Sequence, residues 1–207
     1  PSASPANRLT PTPMALKLLT PPAASVLTLA AAKVHLREDL VDDANDALIE
    51  AIITAATQDA EHLMGRAILP QTWQLTLDAF PSVIDLPRPT VTAVASVKYV
   101  DAATGTLTTL SPSLYQACLA SEIAASVVPA YGCSWPVVRV QPESVQVTYT
   151  SGWATPADVP ELVKAWIKLR IGALYETRQS WTMGQREAVQ PNPHIDFLLD
   201  RFRVWTM

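Results

Sequence analysis

The stretch "HLMGRAILPQTWQLTLDAF", residues 62–80, sets the architecture of this chain. Up to Gly65 the apolar residues recur at helical spacing: Leu48, Ile49, Ile52, Ile53, Ala56, Ala60, Leu63 and Met64. Beyond Pro70 the period drops to two, because Trp73, Leu75, Leu77 and Ala79 alternate with Thr72, Gln74, Thr76 and Asp78. A helix over residues 44–64, capped by Asp42 or Asp43 and stopped by Gly65, therefore gives way to a half-buried strand.

Working outward, "LTLAAAKVHLR" predicts an earlier helix over 28–37 with Thr28 as its cap. Ahead of it, residues 1–27 carry Pro1, Pro5, Pro11, Pro13, Pro21 and Pro22 and read as an extended arm. Met14 opens "MALKLLTPPA" and reads as a natural start, with residues 1–13 upstream of it. On the other side, "VTAVASVKYV" alternates with Val91, Ala93, Ala95, Val97 and Tyr99 on one face, and "DAATGT" reads as a hairpin turn at Gly105. "LYQACLA" and "EIAASVV" are shorter strand candidates, and "SVQVTYTSG" is a clear strand with Val145, Val147 and Tyr149 together. Helix returns at "ADVPELVKAWIKLRIGALYETR", with Asp158 as cap and Leu162, Trp166, Leu169 and Ala173 sharing a face. A polar loop precedes a last helix from Asn192-Pro193 that holds Ile195, Leu198, Leu199 and Phe202. The expected fold class is α+β: a small helical bundle made by the two ends of the chain, an inserted antiparallel β domain, and extended terminal arms. The expected divisions are an arm at 1–27, helices at 28–67, the β insertion at 68–153, and helices with a tail at 154–207.

Composition narrows the function. The chain is 49% hydrophobic and only 16% charged, against roughly 25% charged in an ordinary globular domain. So low a charge suggests surface covered by partners. A net charge of −4 argues against a surface that grips nucleic acid. No run is long and apolar enough for a membrane span, and the N-terminus lacks the apolar core of a signal peptide.

The motifs point away from catalysis. Cys118 and Cys133 have no framework spacing and read as reduced thiols. A catalytic Cys133 would need a base to lower its pKa. The three histidines, His35, His62 and His194, lie on or at predicted helices outside the β block. Ser134 in "GCSWP" lacks the flanking glycines of a nucleophile elbow. "AEHLM" has no second histidine for a zinc helix, so a solvated helix face accounts for Glu61 and His62. "EDLVDD" lacks the oxygen-ligand alternation and glycine of a calcium loop, and six glycines leave little room for a phosphate loop. No cofactor or metal is expected. What remains is a set of aromatics expected at the surface, Trp135, Trp153, Trp181 and Trp205, of the kind that dominates protein contacts.

Taken in order, "MALKLLTPPA", "LTLAAAKVHLR", "GRAILPQTW", "LPRPTV", "SVKYVD", "YGCSWP", "VTYTSGW", "VPELVKAWIKLRIGALYE" and "FRVW" resemble the head–tail connector, or adaptor, proteins of tailed bacteriophages and prophages. The resemblance spans residues 14–205. It implies a structural subunit in the virion neck, made in the host cytoplasm, with no enzymatic site. Copies would form a dodecameric ring under the portal protein, extend the DNA channel without specific DNA binding, and offer a platform to the next neck or tail protein. No membrane is involved. Portal contact is expected from Arg201, Phe202, Arg203 and Trp205, although Phe202 also suits the bundle core. Subunit contact is expected from Leu16, Leu18, Leu19, Trp135 and Trp181. The rival readings are another neck role, such as stopper or tail terminator, a cysteine hydrolase using Cys133, or a monomeric β-rich binding module.

Overall fold

The computed structural model describes residues 14–41, 43–176 and 193–204. It is α+β and divides into two compact units. One, the β unit, comprises the described parts of Pro1–Thr20, Thr72–Pro87 and Val91–Thr150. The other, the helical unit, comprises those of Pro21–Gln71, Arg88–Thr90 and Ser151–Met207.

The helical unit contains α1 (Leu29–Leu36), α2 (Asp46–Met64), α3 (Glu161–Glu176) and α4 (Pro193–Asp200). Thr28 caps α1 by accepting the Ala31 N–H at 3.2 Å, and Gly65 ends α2 in the left-handed region at φ 69°. The core interleaves Ile49, Ile52, Ile53, Ala56, Ala60 and Met64 of α2 with Val163, Trp166, Ile167 and Ile171 of α3, joined by Ala32 and Leu199. Each large apolar side chain so buried contributes about 2 kcal/mol.

The β unit holds two sheets over one core. The first has five strands in the order β1 (Met14–Thr20), β2 (Gln71–Leu77), β8 (Val145–Ser151), β4 (Val91–Val100), β5 (Leu107–Thr109). The second has three, ordered β3 (Ile84–Leu86), β7 (Ala125–Pro129), β6 (Tyr115–Cys118). β1 with β2, β4 with β5, and β7 with both β3 and β6 pair antiparallel. Leu75, Leu77, Val145, Val147 and Tyr149 of one sheet meet Ile84, Leu86, Ala125 and Val127 of the other in a shared core. Alternation along β8 is complete: Val145, Val147, Tyr149 and Ser151 are buried and the residues between them are half-exposed.

Four expectations need correction. The arm does not run to residue 27: Met14–Thr20 is an edge strand, in register from Met14 opposite Leu77 to Leu18 opposite Trp73. This segment contains no proline, so each N–H is available to a ladder, and Leu16 packs on the β core. Asp158 does not cap α3; its carboxylate accepts the Thr155 N–H and hydroxyl at 2.9 and 2.7 Å and tightens the turn before the helix. α2 starts after Asn45, which makes no side-chain capping bond. The core face of α3 is Val163, Trp166, Ile167 and Ile171, with Leu162, Leu169 and Ala173 exposed. Apolar residues surround this helix, so spacing alone could not choose between its faces.

Candidate interaction surfaces

The end of the chain is tied into the helical unit. The Val204 N–H donates to the Met64 carbonyl at 2.8 Å, and Arg203 Nε donates to the Leu63 carbonyl at 3.0 Å. Phe202 meets Trp153 edge to face, with ring centroids 6.4 Å apart. The guanidinium of buried Arg66 lies 5.2 Å from the Trp153 ring centre. Trp153 is thus packed against the helical core and is not the surface aromatic expected from sequence. Of the four C-terminal residues assigned to a contact, Arg201 is exposed, while Phe202 and Arg203 are half-buried and engaged within their own unit. Trp205 and Trp181 lie outside the described residues.

Beside this clasp, Asp59, His62, Leu63, Trp166, Arg170 and Asp196 line a shallow cavity of about 250 Å³. Its charges are mutually engaged: Arg170 bonds Asp59 at 2.8 Å, and the Trp166 indole N–H donates to Asp196 at 3.1 Å. Among the described residues no group of three or more His, Cys, Asp and Glu side chains is placed to hold a metal.

In the β unit, Leu16 faces the core, whereas Leu18 and Leu19 are exposed on the edge strand β1. A bulge between Leu18 and Thr20 interrupts the pairing there. Trp135 is anchored inside its own unit, stacked on Phe80 at 4.6 Å with the ring planes 5° apart. It holds down the first part of a loop whose Tyr131, Val137 and Val140 are open to solvent. The loop closes at Ser144, whose hydroxyl sits 2.7 and 2.8 Å from the carbonyls of Arg139 and Gln141. Cys133 and Cys118 are both exposed free thiols. No histidine belongs to this unit, so Cys133 has no imidazole base within it.

Sequence reading missed one polar cluster in the helical unit. The Glu61 carboxylate accepts the Ile68 N–H at 2.8 Å and Gln71 Nε2 at 2.6 Å, and Arg88 donates to the Glu61 carbonyl at 3.1 Å. Burial pushes the Glu61 carboxyl above its ordinary 4.5, against the opposing pull of these bonds and of the Arg88 charge. This residue is not on a solvated face, as its place in "AEHLM" suggested. The partners come from positions 68, 71 and 88, and nothing in the helical spacing announces them.

No protein-family model matches the chain, and no curated protein matches it. Solved structures do. One, from the neck of an empty gene transfer agent particle computed with C6 symmetry, aligns with a TM-score of 0.75 at 22% identity, over 93% of this chain and 97% of its own. The fold is shared almost end to end. A second, from the virion of the native gene transfer agent particle, gives 0.73 at 22% identity over 93% and 96%. A third, from the native neck computed with C12 symmetry, gives 0.62 at 19% identity over 92% and 97%.

Proposed function

We propose that this chain is a structural subunit of the neck of a phage-like particle, an adaptor that forms a ring under the portal, lengthens the DNA channel and joins head to tail. The observation that carries the reading is the end-to-end likeness in fold to chains of gene transfer agent necks and virions. Both units, and not one common module, take part in that likeness. The physical chemistry agrees with it. A net negative subunit suits a channel through which DNA must slide, since like charge discourages adhesion. Exposed Leu18, Leu19, Tyr131, Val137 and Val140 suit a protein that works inside an assembly.

Within this reading, portal contact by the C-terminal segment rests on Arg201 and Trp205, because Phe202 and Arg203 are occupied at home. The reading includes no catalytic step, and exposed Cys133 is an incidental thiol. Deleting the gene from its parent element tests the function: heads that lose their genome and carry no tail are expected. Tailed, genome-filled particles without this chain would overturn the proposal. Mass photometry of R201E/W205A against isolated portal rings tests the contact, with loss of binding expected. Ordinary thiol reactivity of Cys133 toward iodoacetamide is expected. A fast reaction with a depressed thiol pKa would reopen the hydrolase reading.

A further inference from the structure

We propose that β1 is a releasable strand, and that the edge of β2 beneath it is a binding site for an extended peptide, with β1 as its resting occupant. The inference goes beyond the neck reading and does not need it. β1 is held almost wholly by its backbone. From Ala15 to Thr20 only Leu16 is half-buried, while Ala15, Lys17, Leu18, Leu19 and Thr20 are exposed. In the same sheet β8 buries Val145, Val147, Tyr149 and Ser151. β1 itself buries little apolar area, and that area sets much of what a strand costs to detach.

The connectivity points the same way. No hairpin ties β1 to β2. From Pro21 the chain enters the helical unit and passes through α1 and α2 before β2 begins at Gln71. A strand joined in this way carries a larger closure entropy than one returned by a tight turn. One end of the pairing is also loose. The register breaks between Leu18 and Thr20, and Pro21 and Pro22 have no N–H to give a ladder.

The edge under β1 has the features of a strand acceptor. Leu16 lies opposite Leu75 and Leu18 opposite Trp73. Leu75 is buried in the β core, and Trp73 packs against that core. Backbone groups along β2 supply affinity for an extended segment, and the two apolar positions select leucine-like side chains at alternate residues. Residues 14–20, MALKLLT, carry that pattern, so β1 is an internal competitor for its own site.

The test uses the full chain. In native-state amide exchange, the β1 amides bonded to β2 are expected to exchange roughly a hundredfold faster than those of β8, with little urea dependence, as local opening requires. Exchange of both strands together, with one urea slope, would overturn the proposal. L16P/K17P then vacates the site: of two successive strand residues one N–H faces the neighbour, and proline removes it. This variant is expected to keep its β8 protection. It should bind a fluorescein-labelled MALKLLT peptide, read by anisotropy, roughly a hundredfold more tightly than wild type, whose site is free only in the open fraction. Amide shifts along Thr72–Leu77 should locate the bound peptide, and a peptide with the same two prolines should not bind. A folded variant that ignores MALKLLT would sink the inference. So would a variant that fails to fold, since β1 would then be a part of the sheet that cannot leave. The neck function stands under any of these results.

Discussion

The two units bury different kinds of atoms. The helical unit encloses Lys33, Arg66 and Gln71, together with half-buried Glu61, and ties them with directional contacts. Lys33 pairs with Asp46, Arg66 stacks over Trp153, and Gln71 donates to Glu61. Among the described residues, no charged side chain is buried in the β unit. Its interior polar groups are Ser144, the indole N–H groups of Trp73 and Trp135, and the Tyr149 hydroxyl, which donates to the Pro87 carbonyl at 2.7 Å. The β unit is therefore held by apolar area and strand register, whereas the helical unit adds charge pairs that lose much if one partner is removed.

The sharpest way to break that contrast is a change that adds no charge at all. Gly152 sits at φ 120°, and a Cβ there would overlap the Leu69 carbonyl. Gly152→Ala is expected to cost about 3 kcal/mol or more, through strain and steric conflict together, read as the shift in urea midpoint. This would be the largest loss although no contact is deleted. Next comes Lys33→Met. It keeps the aliphatic stem but strands Asp46, which is 28% exposed and so partly rescued by water. The loss should be about 2 kcal/mol, below the figure for a fully buried pair, and should shrink in K33M/D46L. In the β unit, Tyr149→Phe removes one buried donor and leaves the packing, for about 1 kcal/mol by thermal melt. A larger loss there would show that the β core also depends on polar geometry.

The smallest effect is a pH signature. The folded protein raises the Glu61 pKa, so the folded state holds that proton more tightly than the unfolded chain does. The Glu61 contribution is therefore greatest below pH 4.5 and is lost as pH rises through the raised folded value. Urea melts across this window should show wild type losing an increment that E61Q does not lose. A parallel course for both proteins would remove Glu61 as a source of pH dependence.

Much of this architecture could be read from residue order, for a physical reason. α2 and β8 each cover one face, so their burial repeats at 3.6 and 2 residues and the sequence repeats with it. The three-residue strands Ile84–Leu86 and Leu107–Thr109 are too short for any period to register. β1 was obscured by its proline-rich surroundings, and its partner β2 begins fifty residues further on, at Gln71. The tail misled in a different way. An aromatic near a chain end looks available, and only the fold brings Phe202 to Trp153 from 49 positions away. The Glu61 cluster stayed hidden for the same reason, since its members meet through turns and not through periodicity.

The placement of β1 has a consequence for how the protein is made. Met14–Thr20 leaves the ribosome early, but the strand it pairs with emerges only after both α1 and α2. Those two helices must in turn wait for α3, which follows the whole β insertion. The β unit cannot close until its last strand, β8, has emerged, and the helical unit must wait longer still, for α3 and α4. The nascent chain carries unsatisfied edges for most of its synthesis, a period in which holding chaperones have the greatest effect on yield.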